Sequence, residues 1–219
     1  FALIGILSTG YLFFIPESSW YLAILFYALV VIGFSGGHIF YNALIIDISK
    51  PDERNRASAL GFSLGYLGGG LLFLLNVLMY TNPEWFGLSS SVDAVLWSFV
   101  SVAFWWFIFS FPLFFNIKET KAIKKNINSS IIKTAFSNLY QTAKSIKKYK
   151  SAVIFLMAYF LYMDGVDTII RMATSYGSDI GLTPTSMIGA LLLTQFIGFP
   201  ATLVFGLYAD KFGYKKSLT

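Results

Sequence analysis

Six predominantly apolar stretches, at about 1–15, 19–47, 57–80, 94–116, 151–173 and 185–208, decide what this chain can fold into. A helix that crosses the hydrocarbon core of a bilayer needs roughly 20 such residues. Five of the six stretches reach that length, and the first falls short. Charged residues make up only 12% of the chain, against about a quarter in soluble domains. Lipid rather than water is therefore the expected solvent, and the expected fold class is an all-α membrane protein.

The basic residues alternate from one inter-span segment to the next. Segment 48–56 holds Lys50, Arg54 and Arg56, segment 118–150 holds nine lysines, and 209–219 holds Lys211, Lys215 and Lys216. Together these account for fifteen of the sixteen Lys and Arg residues, while 16–18, 81–93 and 174–184 hold none. Basic residues are retained on the cytoplasmic face, so the pattern places 48–56, 118–150 and 209–219 inside. The remaining basic residue, Arg171, falls within a span. Read this way, the net charge of +5 reports topology, and nucleic acid is not expected as a partner. The absence of cysteine excludes disulfides and thiolate chemistry, and a single histidine argues against a metal or triad site. No cofactor is expected. Phe1 opens an apolar run with no preceding Met, basic n-region or cleavage site, so the chain reads as a piece of a longer one.

Segment 118–150 breaks the rhythm. Within it Ile132, Phe136, Leu139, Ala143 and Ile146 recur at steps of four and three, which places them on one helical face, with lysines over much of the rest. A basic amphipathic helix on the cytoplasmic membrane surface is expected. It would link two helical bundles, the first containing 1–117 and the second 151–219.

The last loop reads Gly206-Leu207-Tyr208-Ala209-Asp210-Lys211-Phe212-Gly213-Tyr214-Lys215-Lys216. It resembles the signature loop of the major facilitator superfamily: a glycine, an aspartate followed by a basic residue, a second glycine and a basic cluster. In that family the loop follows the second helix of each six-helix half, on the cytoplasmic side. Here it follows the second span after the basic linker, and the charge pattern puts it inside. The resemblance implies a superfamily helical bundle with six of twelve transmembrane helices present, numbers three to eight. It also implies a gating role for Gly206, Asp210, Lys211, Gly213, Lys215 and Lys216. Glycine permits tight turns and close helix approach, and Asp210 can accept hydrogen bonds from a neighbouring helix N-terminus in one conformation and release them in another. An ordinary basic loop is the alternative.

Within 57–80, Gly61, Gly65, Gly69 and Gly70 resemble the glycine motif on the fifth helix of superfamily antiporters, with Tyr66 standing where that motif has proline. Glycines four apart let helix backbones touch. That suits an interface that must rock, and static packing explains it equally well. The stretch 19–47 has no arginine, so the basic motif of drug–proton antiporters is missing.

A narrower resemblance covers most of the chain. It is carried by Tyr41-Asn42-Ala43, by Asp47 to Arg56, by Gly65-Tyr66-Leu67-Gly68-Gly69-Gly70, by Tyr159 to Val166, by Thr168 to Ala173 and by Tyr176 to Gly181. Together these look like the vacuole-effluxer branch of the superfamily, which includes autophagy-related fungal amino-acid exporters and bacterial relatives. The resemblance implies a twelve-helix carrier with amino acids as a substrate class. It also implies a bacterial plasma membrane location, or a vacuolar one in a eukaryote.

Three ionic residues, Asp164, Asp167 and Arg171, lie inside the span 151–173. At 100° per residue they fall within about 60° of arc, joined by Thr168. A charge at the bilayer centre costs roughly 2.5–3.5 kcal/mol on insertion scales, so the stripe needs partners or water. A transport cavity supplies both, with Arg171 binding a substrate carboxylate and Asp164 or Asp167 an amino group or a proton. An Asp167–Arg171 ion pair with a purely structural role is the alternative. Ser35, His38 and Asn42 form a fainter polar stripe. His38 has a proton-relay chemistry available to it, or else simply hydrogen-bonds a neighbouring helix.

The expected function is secondary active transport of a small solute by two bundles rocking about a midplane site, with proton coupling open. The alternative is a non-transporting membrane scaffold or sensor of the same fold, with a packed, dry interior. Catalysis is not expected, because the sequence has no catalytic constellation and no phosphate-binding loop.

Overall fold

The computed structural model describes residues 1–16, 18–50, 53–116, 131–146 and 148–213. Lys215 and Lys216 of the expected signature loop, and 118–130 of the expected linker, lie outside the described residues. All regular structure among the described residues is helical. A short α1 (Ala2–Tyr11) runs into a 3-10 turn (Leu12–Phe14) and is followed by α2 (Trp20–Ile48), α3 (Arg54–Thr81) and α4 (Ser91–Asn116). After these come α5 (Ile131–Ile146), α6 (Lys150–Asp179) and α7 (Pro184–Phe212).

Local chemistry sets the helix ends. Arg54, at the start of α3, donates from Nη2 to the Ile46 carbonyl in the last turn of α2 at 3.3 Å. A cation is favourable there because the last carbonyls of a helix carry partial negative charge. Ser90 accepts the Asp93 amide at 3.1 Å and so caps α4, while the Ser91 hydroxyl donates to the Tyr80 carbonyl of α3 at 3.0 Å. Helix α6 runs six residues beyond the expected end at 173 and stops at Asp179. Gly177 keeps helical geometry, and the break comes only at Gly181, which takes φ +85°. The Leu182 amide then reaches the Gly177 carbonyl at 2.9 Å and the Gly181 amide reaches Ser178 at 3.0 Å, a Schellman closure. Thr183 caps α7 by accepting the Ser186 amide at 3.2 Å, with Pro184 in the first helical position.

Helices α2, α3, α4, α6 and α7 are each long and apolar enough to cross a membrane. Their 26 to 30 residues rise roughly 39–45 Å, more than the roughly 30 Å of hydrocarbon. Their apolar surface faces outward: in the most apolar window of each, between 0% and 17% of residues are buried. The buried apolar side chains among the described residues are few, and half of them are alanines: Ile6, Leu72, Met79, Ala94, Ala103 and Ala209. An apolar exterior of this extent is compatible with lipid and not with water. The protein is an integral membrane protein.

The chain forms two compact units, 1–118 with 188–219, and 119–187. In the first, α1 and α2 cross where Gly33 meets the backbone of Gly5; a Cβ on Gly33 would stand 2.5 Å from the Gly5 amide nitrogen. The Trp106 ring of α4 covers the other side of Gly5. Tyr11 stacks on Phe26 at 4.1 Å and Phe13 meets Trp97 edge-on at 5.1 Å. Helices α3 and α4 are joined by Ser101, whose hydroxyl lies 2.8 Å from Asn76 Oδ1. The second unit contains α5, α6 and the first turn of α7.

Candidate functional site

The first unit carries a half-open cavity of about 690 Å³, within the range of roughly 300–1,000 Å³ that small-molecule sites occupy. His38 and Asn42, one turn apart on α2, line it together with Gly61 and Gly65, one turn apart on α3. Tyr41, Tyr66, Trp106 and, from α7, Gln195 complete its polar and aromatic character. Among the described residues, no Asp, Glu, Lys or Arg lines it. A Cβ placed on Gly65 would meet nothing within 4 Å, and one on Gly61 would meet the Tyr41 hydroxyl at 3.2 Å. Gly65 therefore leaves open volume, while Gly61 lets the Tyr41 hydroxyl approach closely. The His38 imidazole lies among the rings of Phe34, Phe62 and Tyr41, with centroids at 5.8, 6.3 and 6.4 Å.

Tyr66 and Gln195 of the cavity lining also belong to a seam between α3 and α7, which run antiparallel. Tyr66 packs on Gly198, where an added Cβ would come within 2.7 Å of its ring. A Cβ on Gly70 would lie 3.2 Å from Gln195 Cβ and 3.7 Å from Phe196, and Gly69 is more loosely placed, at 3.9 Å from Gln195 Oε1. Farther along, Gly206 sits directly against the Ala59 methyl. The fully buried Ser63 hydroxyl donates to the Phe199 carbonyl at 2.9 Å. That carbonyl immediately precedes Pro200, which lacks the amide that would otherwise bond the Phe196 carbonyl in the α7 ladder. At the end of the seam, Asn55 Nδ2, in the first turn of α3, donates to Asp210 Oδ1 at 3.0 Å. Next to it the Lys211 ammonium stands 5.5 Å from the centre of the Phe212 ring. Gly213 follows with φ +82°, its amide on the Ala209 carbonyl at 2.9 Å.

In the second unit, Asp164, Asp167 and Arg171 share one stripe of α6 and are all exposed. Asp164 is 14 residues from Lys150, about 21 Å along the axis and close to the helix midpoint. Arg171 lies about 12 Å from the Asp179 end. Among the described residues none of the three has a hydrogen-bond or ion-pair partner, so the Asp167–Arg171 pair entertained from the spacing is not formed.

Some participants carried little sequence signal. Gln195 and Gly198 on α7, and Gly5 and Gly33 at the α1–α2 crossing, stand in apolar runs with no motif around them. Asn55, Ala59, Ser63, Tyr66 and Gly70 on α3 repeat at steps of four and three, which marks one face but names no partner.

The family described as vacuole effluxer Atg22 like matches residues 46–219. A Bacillus subtilis protein described as an uncharacterized MFS-type transporter (YxiO) is 38% identical over 98% of this chain and 50% of its own length. Autophagy-related protein 22-1 of Aspergillus fumigatus is 26% identical over 75% of this chain and 28% of its own length. Autophagy-related protein 22 of Vanderwaltozyma polyspora is 24% identical, covering 67% and 32%. The chain thus spans about half the length, or less, of these curated relatives. No solved structure matches it. The resemblance that rested on Asp47 to Arg56, the glycine run and the α6 phrases is borne out: the chain belongs to the vacuole effluxer Atg22-like family.

Proposed function

We propose that this chain is part of a secondary carrier that moves a small solute, of the amino-acid class, across its membrane by alternating access. The observation that carries this reading is a cavity of about 690 Å³ that meets, at Tyr66 and Gln195, a seam of small residues between α3 and α7. Glycines that hollow a helix face beside a cavity are out of place in the dry, packed interior expected of a scaffold. A seam built from Gly70, Gly198, Gly206, Ala59 and Ser63 lets two helices approach closely without interlocking large side chains, which suits elements that must separate and rejoin. In this reading Asp210 is the acceptor half of a latch whose donor is Asn55, and Gly206, Lys211 and Gly213 shape the turn that carries it. Lys215 and Lys216 extend the same basic loop on the cytoplasmic side, and 118–150 links the two bundles.

The cavity, lined among the described residues by neutral side chains, suits a small solute held by His38, Asn42 and their aromatic neighbours. Separately, on α6 in the second unit, Arg171 is a site for a carboxylate, and Asp164 or Asp167 for an amino group or a coupling proton. Such groups within a membrane span are expensive unless they serve a polar pathway. The test is uptake by proteoliposomes of the full-length protein, with pooled labelled amino acids and with or without a pH gradient. Accumulation that Asp164→Asn and Arg171→Ala each reduce at least tenfold, at normal insertion, is the expected result. Full uptake by both variants removes the α6 site, and no uptake of any pooled solute removes the amino-acid class.

A further inference from the structure

We propose that α5 is a strap that docks on the bilayer surface and binds the headgroups of anionic phospholipids. It stands independently of the transport reading, because it uses only the membrane spans and this one helix. Nothing described in the chain covers the apolar face of α5: Phe136, Leu139 and Tyr140 are 69%, 65% and 72% exposed. Taking Leu139 as the centre, Ala135, Ile146, Ala143 and Phe136 fall within about 60° of it on either side. Lys133 and Lys144 lie together at about 120–140°, just beyond Tyr140, and the other border, with Thr142, Asn138 and Ser145, is uncharged. The sixteen residues contain no Asp or Glu.

Position decides which partner this face meets. Only three residues separate Ile146 from Lys150, the first residue of the membrane span α6, a reach of about 14 Å at most. The turn is closed by the Lys148 amide on the Ser145 carbonyl at 3.0 Å and the Tyr149 amide on Ile146 at 2.9 Å. The C-terminal end of α5 is thereby held where a spanning helix emerges from the bilayer. At that depth the apolar arc has acyl chains within reach, and the lysines at its border meet the phosphate layer, their stems lying along the apolar surface. Lys148 and Lys150 add two more positive charges at the pinned end. Each lysine close to an anionic membrane surface favours the docked state roughly fivefold, so Lys133 and Lys144 together contribute roughly 25-fold.

The 219 residues contain no cysteine, so a single introduced one reports alone within them. Leu139→Cys and Gln141→Cys, on opposite faces of α5, are placed in the intact protein and reconstituted in nanodiscs of phosphatidylcholine, with or without phosphatidylglycerol. The rate of modification by a membrane-impermeant maleimide is then measured. With phosphatidylglycerol, Leu139→Cys reacts many times more slowly than Gln141→Cys, and high salt or Lys133→Gln with Lys144→Gln removes most of that protection, by roughly 25-fold. Phe136→Cys, on the same face, repeats the measurement should Leu139→Cys not insert. Equal rates at 139 and 141 in both lipids overturn the proposal. So does protection of 139 that is the same in phosphatidylcholine, phosphatidylglycerol and detergent micelles, since another protein segment would then be covering the face.

Discussion

Three glycines on one face and a half of α2 give three different answers to the same substitution. Gly33 is the only residue of α2 that is buried among those described. An alanine Cβ there would stand 2.5 Å from the Gly5 nitrogen, 2.6 Å from the Gly5 Cα and 3.0 Å from the Phe1 carbonyl oxygen. Carbon contacts are comfortable at about 3.5–4.0 Å, so α1 must retreat by about 1 Å. It has no side-chain rotation with which to do so, because the obstructing atoms are backbone. Overpacking of this kind typically costs 1–3 kcal/mol, while alanine returns about 1 kcal/mol of helix preference over glycine. A gap of that width also forfeits a quarter to a half of the dispersion energy along the crossing. The expected net effect of Gly33→Ala is a loss of roughly 1–2 kcal/mol. Gly36→Ala meets only the Phe1 ring, the movable end of a side chain, and costs less. Gly37→Ala meets nothing within 4 Å and is neutral or slightly stabilising. Unfolding in mixed detergent micelles, titrated with dodecyl sulfate and followed by tryptophan emission, measures all three. Trp106 packs on Gly5 and reports the displacement of α1 directly. If Gly33→Ala and Gly37→Ala unfold at the same denaturant fraction, α1 does not cross α2 at this point and the reasoning fails.

Gly206→Leu drives a branched side chain into Ala59, opens the α3–α7 seam and lowers the dodecyl sulfate fraction at unfolding in the same micelle titration. Asn55→Ala or Asp210→Ala removes one exposed hydrogen bond, worth about 0.5–1.5 kcal/mol, and shifts any two-state opening at that end by roughly 2–10-fold, read by double electron–electron resonance between labels near 55 and 210. Ser63→Ala leaves the Phe199 carbonyl with one partner fewer in a buried place beside Pro200, and loses about 1 kcal/mol in the same micelle titration.

Five of the six expected spans and the class of fold were legible, because lipid imposes a length and an apolarity that only a few residues per helix can violate; the first apolar stretch forms only a short helix. The turns were less so. The end of α6 was placed too early because Thr174 to Asp179 are polar, and polarity signals a loop in water-facing sequence. In a helix that extends past the hydrocarbon, polarity marks only the interface, and it is Gly181 that stops the helix. Within the candidate site, His38, Asn42, Gly61 and Gly65 stood out by type and spacing, and they do come to one cavity. What spacing alone did not distinguish is a glycine that touches a helix from one that leaves space. Gly65 and Gly70 belong to one motif, yet the first opens the cavity and the second meets Gln195. That difference depends on which helix lies opposite, and antiparallel partners such as Gln195 and Gly198 sit more than a hundred residues away in sequence, where no local pattern points to them.

The balance of forces along α3 and α7 follows from this division. Most of the seam is held by dispersion between small groups, which is non-directional and falls off within an ångström of separation. Only two side-chain hydrogen bonds cross it among the described residues, Ser63 to Phe199 in the buried middle and Asn55 to Asp210 at the exposed end. The buried one costs more to break, because no water replaces it. The exposed one exchanges for water at little net cost. Of the two hydrogen-bonded points, Asn55–Asp210 yields more readily than Ser63–Phe199. Substitutions at 55 and 210 therefore act on how often the seam opens, and substitutions at 63 on whether it holds together at all.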